Sequence, residues 1–195
     1  MGLHQLSIET IKVVGFDPSL TAWGIAVGTF NIQGNTLSIE SVKTVSPVTS
    51  KNKSTRVNSD DLERASQLAE AAVIAVRGAH AVFVEVPVGS QSARAMASYG
   101  ICVGILGTMR SQGIPFFEVT ATEVKMAATG KRTATKKEMI SWATGKFPDV
   151  AWPRYKKHGE LLLVESEVEH QADAIGAINA GLLCQPFKQL LQLWK

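Results

Sequence analysis

The sequence predicts a mixed α/β domain, a five-stranded sheet flanked by helices, and three observations lead there. Three segments of strand character open the chain, with connections short enough for an antiparallel meander. Two more apolar strands follow, each reached through a stretch of helical periodicity. Crossovers of that kind set such strands parallel to the first. Helical patterns fill most of the remainder, so strands and helices alternate in the second half.

Residues 11–17 (IKVVGFD) read as a buried strand ending in an acid. Residues 22–30 (AWGIAVGTF) and 36–45 (TLSIESVKTV) give two more, and Gln33-Gly34-Asn35 supplies hairpin turn chemistry between them. The polar stretch 46–60 (SPVTSKNKSTRVNSD) reads as a mobile loop. From Asp61 to Gly78 a helix is predicted, because Leu62, Ala65, Leu68, Ala72 and Val76 recur every three or four residues. Residues 80–86 (HAVFVEV) form a fourth strand, again ending at an acid, and 115–119 (PFFEV) a fifth, with a helix rich in small residues over 91–112. Thr120 or Thr122 caps a short helix that stops at Gly130, and Thr133 or Thr135 opens another to about Lys146. Pro148 and Pro153 break the next stretch. A helix from about Glu165 to Leu183 follows, then an amphipathic tail, FKQLLQLW, that packs on its own domain or on a partner subunit.

A chain of 195 residues suits one domain over 1–195, with a leader at 1–10 and a tail at 185–195. With 45% hydrophobic and 19% charged residues, the composition is globular rather than disordered or fibrous. No apolar run reaches the ~18 residues of a membrane span. The opening MGLHQLSIETIK lacks the pattern of a secretory signal, so a cytoplasmic location is expected. Cys102 and Cys184 lie in apolar contexts without metal-ligand spacing and read as buried, reduced thiols. Trp23, Trp142, Trp152 and Trp194 read as packing residues ahead of base-stacking ones.

The net charge is only +3, but its distribution is uneven. Between Ala121 and His158 stand Lys125, Lys131, Arg132, Lys136, Lys137, Lys146, Arg154, Lys156 and Lys157, against Glu123, Glu138 and Asp149. Such a field suits a polyanionic partner, unless it is simply a solvated face. Gln91, Ser92 and Arg94, after Gly89, could touch phosphates at a helix N-terminus or could be an ordinary helix start.

Three acids carry the chemistry. Asp17 ends the first strand and Glu85 the fourth; if those strands are adjacent and parallel, both carboxylates emerge at the same sheet edge, where open α/β sheets place their ligands. In the late helix EVEHQADAIGAINAGLL, His170 and Asp173 are spaced i, i+3 and share a face, with Glu169 nearby, while Ala172, Ala174, Gly176, Ala177, Ala180 and Gly181 allow close packing on a sheet. An oxygen-rich set of this kind suits Mg²⁺ or Mn²⁺, and two such ions can activate a water for phosphodiester hydrolysis.

At these residues the sequence resembles the RuvC family of Holliday-junction resolvases, in the RNase H-like superfamily, over roughly residues 11–183. GFDPSLTAWGIAV looks like that family's opening strand, acid and hairpin; VFVEVPVGSQSARAMASYGICVGIL its second acidic strand and following helix; TATEVKMAATGKRTATKKEM its basic segment; EHQADAIGAINAGL its last helix. The resemblance implies Asp17, Glu85, His170 and Asp173 as catalytic groups and metal ligands for Mg²⁺ (or Mn²⁺), two ions per site. It implies Lys125 and Lys136 as basic residues facing DNA, and Lys137, Lys131, Arg132 and Arg94 are further candidates. It also implies a homodimer cutting opposed strands of a four-way junction. The helix at 91–112 offers Ala95, Ala97, Ile101, Leu106 and Met109 for packing, some of them between subunits. Where many bacterial members of that family carry an aromatic wedge, this chain has Val88, and His170 stands where many have aspartate. The competing readings are another RNase H-like nuclease acting on RNA or an RNA–DNA hybrid, an ATP-binding protein of the actin and sugar-kinase type, and a catalytically silent DNA-binding module.

Overall fold

The computed structural model describes residues 8–50 and 56–194. Part of the expected leader, residues 51–55 of the expected mobile loop, and Lys195 lie outside the described residues. The elements run β1 (Thr10–Asp17), β2 (Trp23–Asn31), β3 (Thr36–Val45), α1 (Val57–Val76), β4 (Ala81–Glu85), α2 (Ala93–Arg110), β5 (Phe116–Val119), α3 (Ala121–Thr129), α4 (Lys136–Lys146), β6 (Arg154–Lys157), β7 (Glu160–Leu163), α5 (Glu165–Gly181) and α6 (Gln185–Leu193).

The main sheet has the order β3-β2-β1-β4-β5. β1 and β2 pair antiparallel, as do β2 and β3, while β4 lies parallel to both β1 and β5. This is the predicted five-stranded mixed sheet. Asn35 adopts a left-handed φ of 49°, as the β2–β3 turn requires.

Strand alternation divides the interior in two. Ile11, Val13, Ala26, Phe30, Ala81 and Phe83 face one core, formed with α3, α4, α5 and α6. Val14, Phe16, Trp23, Ile25, Val82 and Val84 face the other, formed with α1 and α2. α5 lies in the first core with almost every residue from Gln171 to Gly181 buried. Its small residues allow this: a methyl added at Gly15 of β1 would lie 2.1 Å from the Ala174 carbonyl oxygen, and one at Gly176 2.7 Å from Val124.

Capping residues left open by the sequence are resolved by reciprocal bonds. Thr120 caps α3 with Glu123, and Thr135 caps α4 with Glu138, each as a complete capping box. Gly130, at φ 74°, ends α3. α6 folds back onto its own domain: Phe187 is fully buried against Phe30, Phe83 and Phe117. Burying such a ring contributes about 1.5–3 kcal/mol.

Two expectations are corrected. α1 begins at Val57, four residues before Asp61, because a polar first turn carries no apolar period to mark it. The stretch after Pro148 and Pro153 contains a two-stranded ribbon, β6–β7, where the sequence showed only breaks. Leu106 and Met109, offered as packing residues of α2, pack in the chain's own core, while the exposed residues of α2 include Met96, Ala97, Gly100, Val103, Gly104 and Gly107, with Arg94, Thr108 and Arg110. No helix among the described residues is long and apolar enough to cross a membrane.

Candidate active site

Asp17 and Glu85 share one parity with the α5-facing residues of their strands: Asp17 follows Ile11, Val13 and Gly15, and Glu85 follows Ala81 and Phe83. Because Phe16 pairs with Val84 in parallel register, both carboxylates leave the same sheet edge beneath α5. Across the β1–β2 ladder Asp17 faces Gly24. A Cβ at Gly24 would lie 2.0 Å from the backbone oxygen of His170, so the missing side chain is what lets the start of α5 come down beside Asp17.

That approach is completed by a hydrogen bond, 2.7 Å between His170 Nδ1 and Asp17 Oδ2. The other ring nitrogen, Nε2, lies 3.6 Å from Glu169 Oε1. The bond to Asp17 raises the His170 pKa above its ordinary value, aided by the charges of Asp17, Glu169 and Asp173 and opposed by burial. Burial, then the charge of Asp17, pushes Glu85 up to about 7, against the pull of Lys125. Burial, then the charges of Asp17 and Glu85, likewise pushes Asp173 up to about 7. Two carboxyls held near neutrality by burial, and by the charges beside them, are costly to ionise together unless a cation lies close by.

Two cavities meet at Glu85. One, of about 280 Å³, is lined by Asp17, Ser19, Val88 and Tyr99 among others. The second, of about 190 Å³, is lined by Lys125, Lys136, Glu169 and Asp173. The donor set fits Mg²⁺ or Mn²⁺ in kind, being oxygen-rich with one imidazole. It is not a closed cage: among the described residues no three His, Cys, Asp or Glu side chains stand ready around one point, and the bond between His170 and Asp17 occupies two of the four candidates.

The expected basic residues part company. Lys125 lines the cavity with Glu85 and Asp173. Lys136 reaches the same cavity and pairs with Glu169 at 2.9 Å, which raises its pKa. Lys131 pairs with Glu138 at 2.7 Å. Arg132 and Lys137 are exposed. Arg94 is bound intramolecularly: its guanidinium reaches Asp61 at 2.7 Å, and Asp61, buried, also holds Arg64 at 2.9 Å. Of the tryptophans, Trp23 and Trp152 are buried, while Trp142 packs on Phe147 and Trp194 on Phe187. Cys102 is buried, and burial pushes its thiol up to about 11. Glu169 is the site residue the sequence underrated; its i, i+4 spacing to Asp173 was visible, its ion pair with Lys136 was not.

No family model and no curated protein matches the chain. Solved structures do. Thermus thermophilus RuvC in complex with a Holliday junction substrate superposes with a TM-score of 0.62 at 18% identity, over 87% of this chain and 92% of that one. This is the RuvC fold. Another structure of RuvC from the same organism gives 0.59 at 18% identity, with the same coverage. The Fowlpox virus resolvase in complex with Holliday junction DNA gives 0.51 at 12% identity, over 93% and 99%. The RuvC fold, an RNase H-like arrangement, places the carboxyl ends of β1 and β4 under α5, where the acids lie.

Proposed function

We propose that the chain is a structure-selective endodeoxyribonuclease that resolves four-way DNA junctions by metal-dependent phosphodiester hydrolysis. A fold alone does not set an activity. The observation that carries the reading is the gathering of Asp17, Glu85, His170 and Asp173 at one edge of the sheet, with Lys125 in the adjoining cavity.

Asp17, Glu85, Asp173 and His170 would hold the cations; Mg²⁺ or Mn²⁺, when bound, supplies an activated water and stabilises the leaving oxygen. The chain's own groups supply position and charge. Asp17 and Glu85 are fixed at strand ends, so little side-chain freedom would be lost on engaging the cations. Lys125 presents a positive charge to a backbone phosphate beside Glu85 and Asp173. With Asp17 ionised, neutral His170 donates through Nδ1 and has a single lone pair left, on Nε2, which would serve either as a ligand to a cation or as the acceptor of the attacking water's proton, one role excluding the other. Two opposed strands must be cut, so a two-fold dimer matches the substrate's symmetry, and the exposed stretch of α2 around Met96, Gly100 and Val103 is the surface we assign to it.

The deciding experiment incubates the protein with a labelled four-way junction, linear duplex and RNA–DNA hybrid in Mg²⁺ or Mn²⁺. Paired incisions in the junction alone are expected. Cleavage of the hybrid in preference to the junction would reassign the substrate to RNA, and no cleavage in either metal would refute the nuclease reading.

A further inference from the structure

Among the cations of the basic segment, Lys125 lines the acid cavity and Arg132 and Lys137 are exposed. Lys131 and Lys136 are committed to glutamates, and Lys146 lies 5.6 Å from the ring centres of Trp142 and Phe147. Arg154, Lys156 and Lys157 are all on β6, all exposed, and none closes an ion pair among the described residues. Glu160 stands across the ladder from Lys157 without reaching it.

The ribbon that carries them is built to project. His158 and Gly159 are both left-handed, with φ of 51° and 89°, which turns the chain within two residues. At the base, the Val164 N–H donates to the Pro153 carbonyl at 3.0 Å, and Leu163 packs on the core. The register pairs Tyr155 with Leu162 on one face and Lys156 with Leu161 on the other. Burial would stabilise these apolar groups, yet Tyr155 is 45% exposed and Leu161 62%. The Tyr155 ring stacks on no aromatic neighbour among the described residues. Between the ribbon and the first turn of α5 lies a trough of about 580 Å³, lined by Tyr155, Leu161, Leu162, Leu163, Glu165 and Ser166. About 8 Å of helix separates Glu165 from His170, so the trough opens close to the acids.

We propose that the β6–β7 ribbon is a second nucleic-acid contact, one that captures an unpaired nucleotide: its base stacks on Tyr155 above the leucine-lined trough, one flanking phosphate pairs with Lys157 on the same face, and the strand continues round the edge to Arg154 and Lys156 on the other. An aromatic ring beside unpaired cations is the combination that binds single strands without regard to sequence. Glu165 at the rim repels phosphate, which keeps the backbone on the basic strand and admits the base. The inference rests on the DNA substrate proposed above and adds where unpaired bases of a branched structure go.

Fluorescence anisotropy tests it, with a labelled oligodeoxythymidine single strand and a labelled four-way junction as probes. The proteins are the wild type, Tyr155→Ala, Tyr155→Phe and the triple variant Arg154→Gln/Lys156→Gln/Lys157→Gln, each checked for an unchanged thermal melt. Tyr155→Ala weakens single-strand binding about ten-fold while Tyr155→Phe keeps it. The triple variant lowers the slope of log affinity against log salt on the single strand by about 2. Wild-type affinity in Tyr155→Ala, an equal loss in Tyr155→Phe, an unchanged salt slope in the triple variant, or no single-strand binding by the wild type would each overturn the proposal. Single-strand binding that depends on the ribbon, in a protein that never cuts junctions, would leave the ribbon assignment standing and remove the resolvase reading. Junction cleavage with every ribbon variant at wild-type affinity would do the reverse.

Discussion

Gly24→Ala probes how the site is assembled without replacing any of its functional groups. A Cβ there would sit 2.0 Å from the His170 carbonyl oxygen and 2.6 Å from its carbon, where ordinary contact begins at 3.4 Å. Both atoms are backbone, so the strain cannot be relieved by a rotamer change. α5 must withdraw from β2 by about 1.4 Å at this point, which stretches the 2.7 Å bond between His170 and Asp17 to roughly 4 Å and breaks it. Overpacking of this kind costs about 1–3 kcal/mol. In a domain of this size that lowers Tm by roughly 2–4 °C per kcal/mol. A displacement near 1 Å costs about 100-fold in rate where geometry is catalytic. The assays are a thermal melt, single-turnover junction cleavage, and an NMR titration of the His170 ring, whose raised pKa falls toward its ordinary value once the bond to Asp17 is lost. A Gly24→Ala protein with wild-type Tm and an unmoved His170 titration would refute the close approach of α5 to β2; a full cleavage rate despite a moved titration would remove His170 from the mechanism.

Three other outcomes are expected. Asp17→Asn keeps the shape of the side chain but removes its charge, so junction cleavage falls to background while binding, carried mostly by phosphate contacts, is retained in a gel-shift assay. Glu85 and Asp173 are raised to about 7 in the folded chain, which therefore binds more protons than the unfolded one; the metal-free protein loses stability as pH rises from about 4 to 7, and Mg²⁺ or Mn²⁺ raises Tm more at pH 8 than at pH 5. Equal metal-induced shifts at both pH values would place the cations elsewhere. Arg94→Met leaves the buried Asp61 with Arg64 alone, costing about 1–3 kcal/mol in a denaturant melt. Because Asp61 is lowered by its bonds to Arg94 and by their charge attraction, that deficit shrinks as pH falls through the carboxylate range.

The sheet and its acids were legible because strand signals are local. IKVVGFD and HAVFVEV are apolar up to their acids, and period-two alternation then fixes the side on which Asp17 and Glu85 emerge. The i, i+3 spacing of His170 and Asp173 was legible for the same reason. Long-range partners were not. Asp17 and His170 are 153 residues apart, and the Nδ1 bond joining them has no counterpart in spacing. Arg94 read as a phosphate contact because its partner, Asp61, lies 33 residues earlier on another helix, and no spacing in the sequence links the two. The ribbon of Arg154–Leu163 escaped because its strands are too exposed to alternate and because His-Gly is an unusual dipeptide for a turn needing two left-handed residues.

The sheet that separates two cores also separates two kinds of mutational freedom. Residues on the α3–α5 side answer to the distances among Asp17, Glu85, His170 and Asp173, and small volume changes at Gly15 or Gly176 are transmitted directly to them. On the far side, α1 and α2 rest on the backs of the same strands, and α2 reaches the acids' cavity through Tyr99. Lineages descending from such a chain can rewrite the exposed face of α2, at Met96, Gly100 and Val103, while the packing beneath α5 stays unaltered.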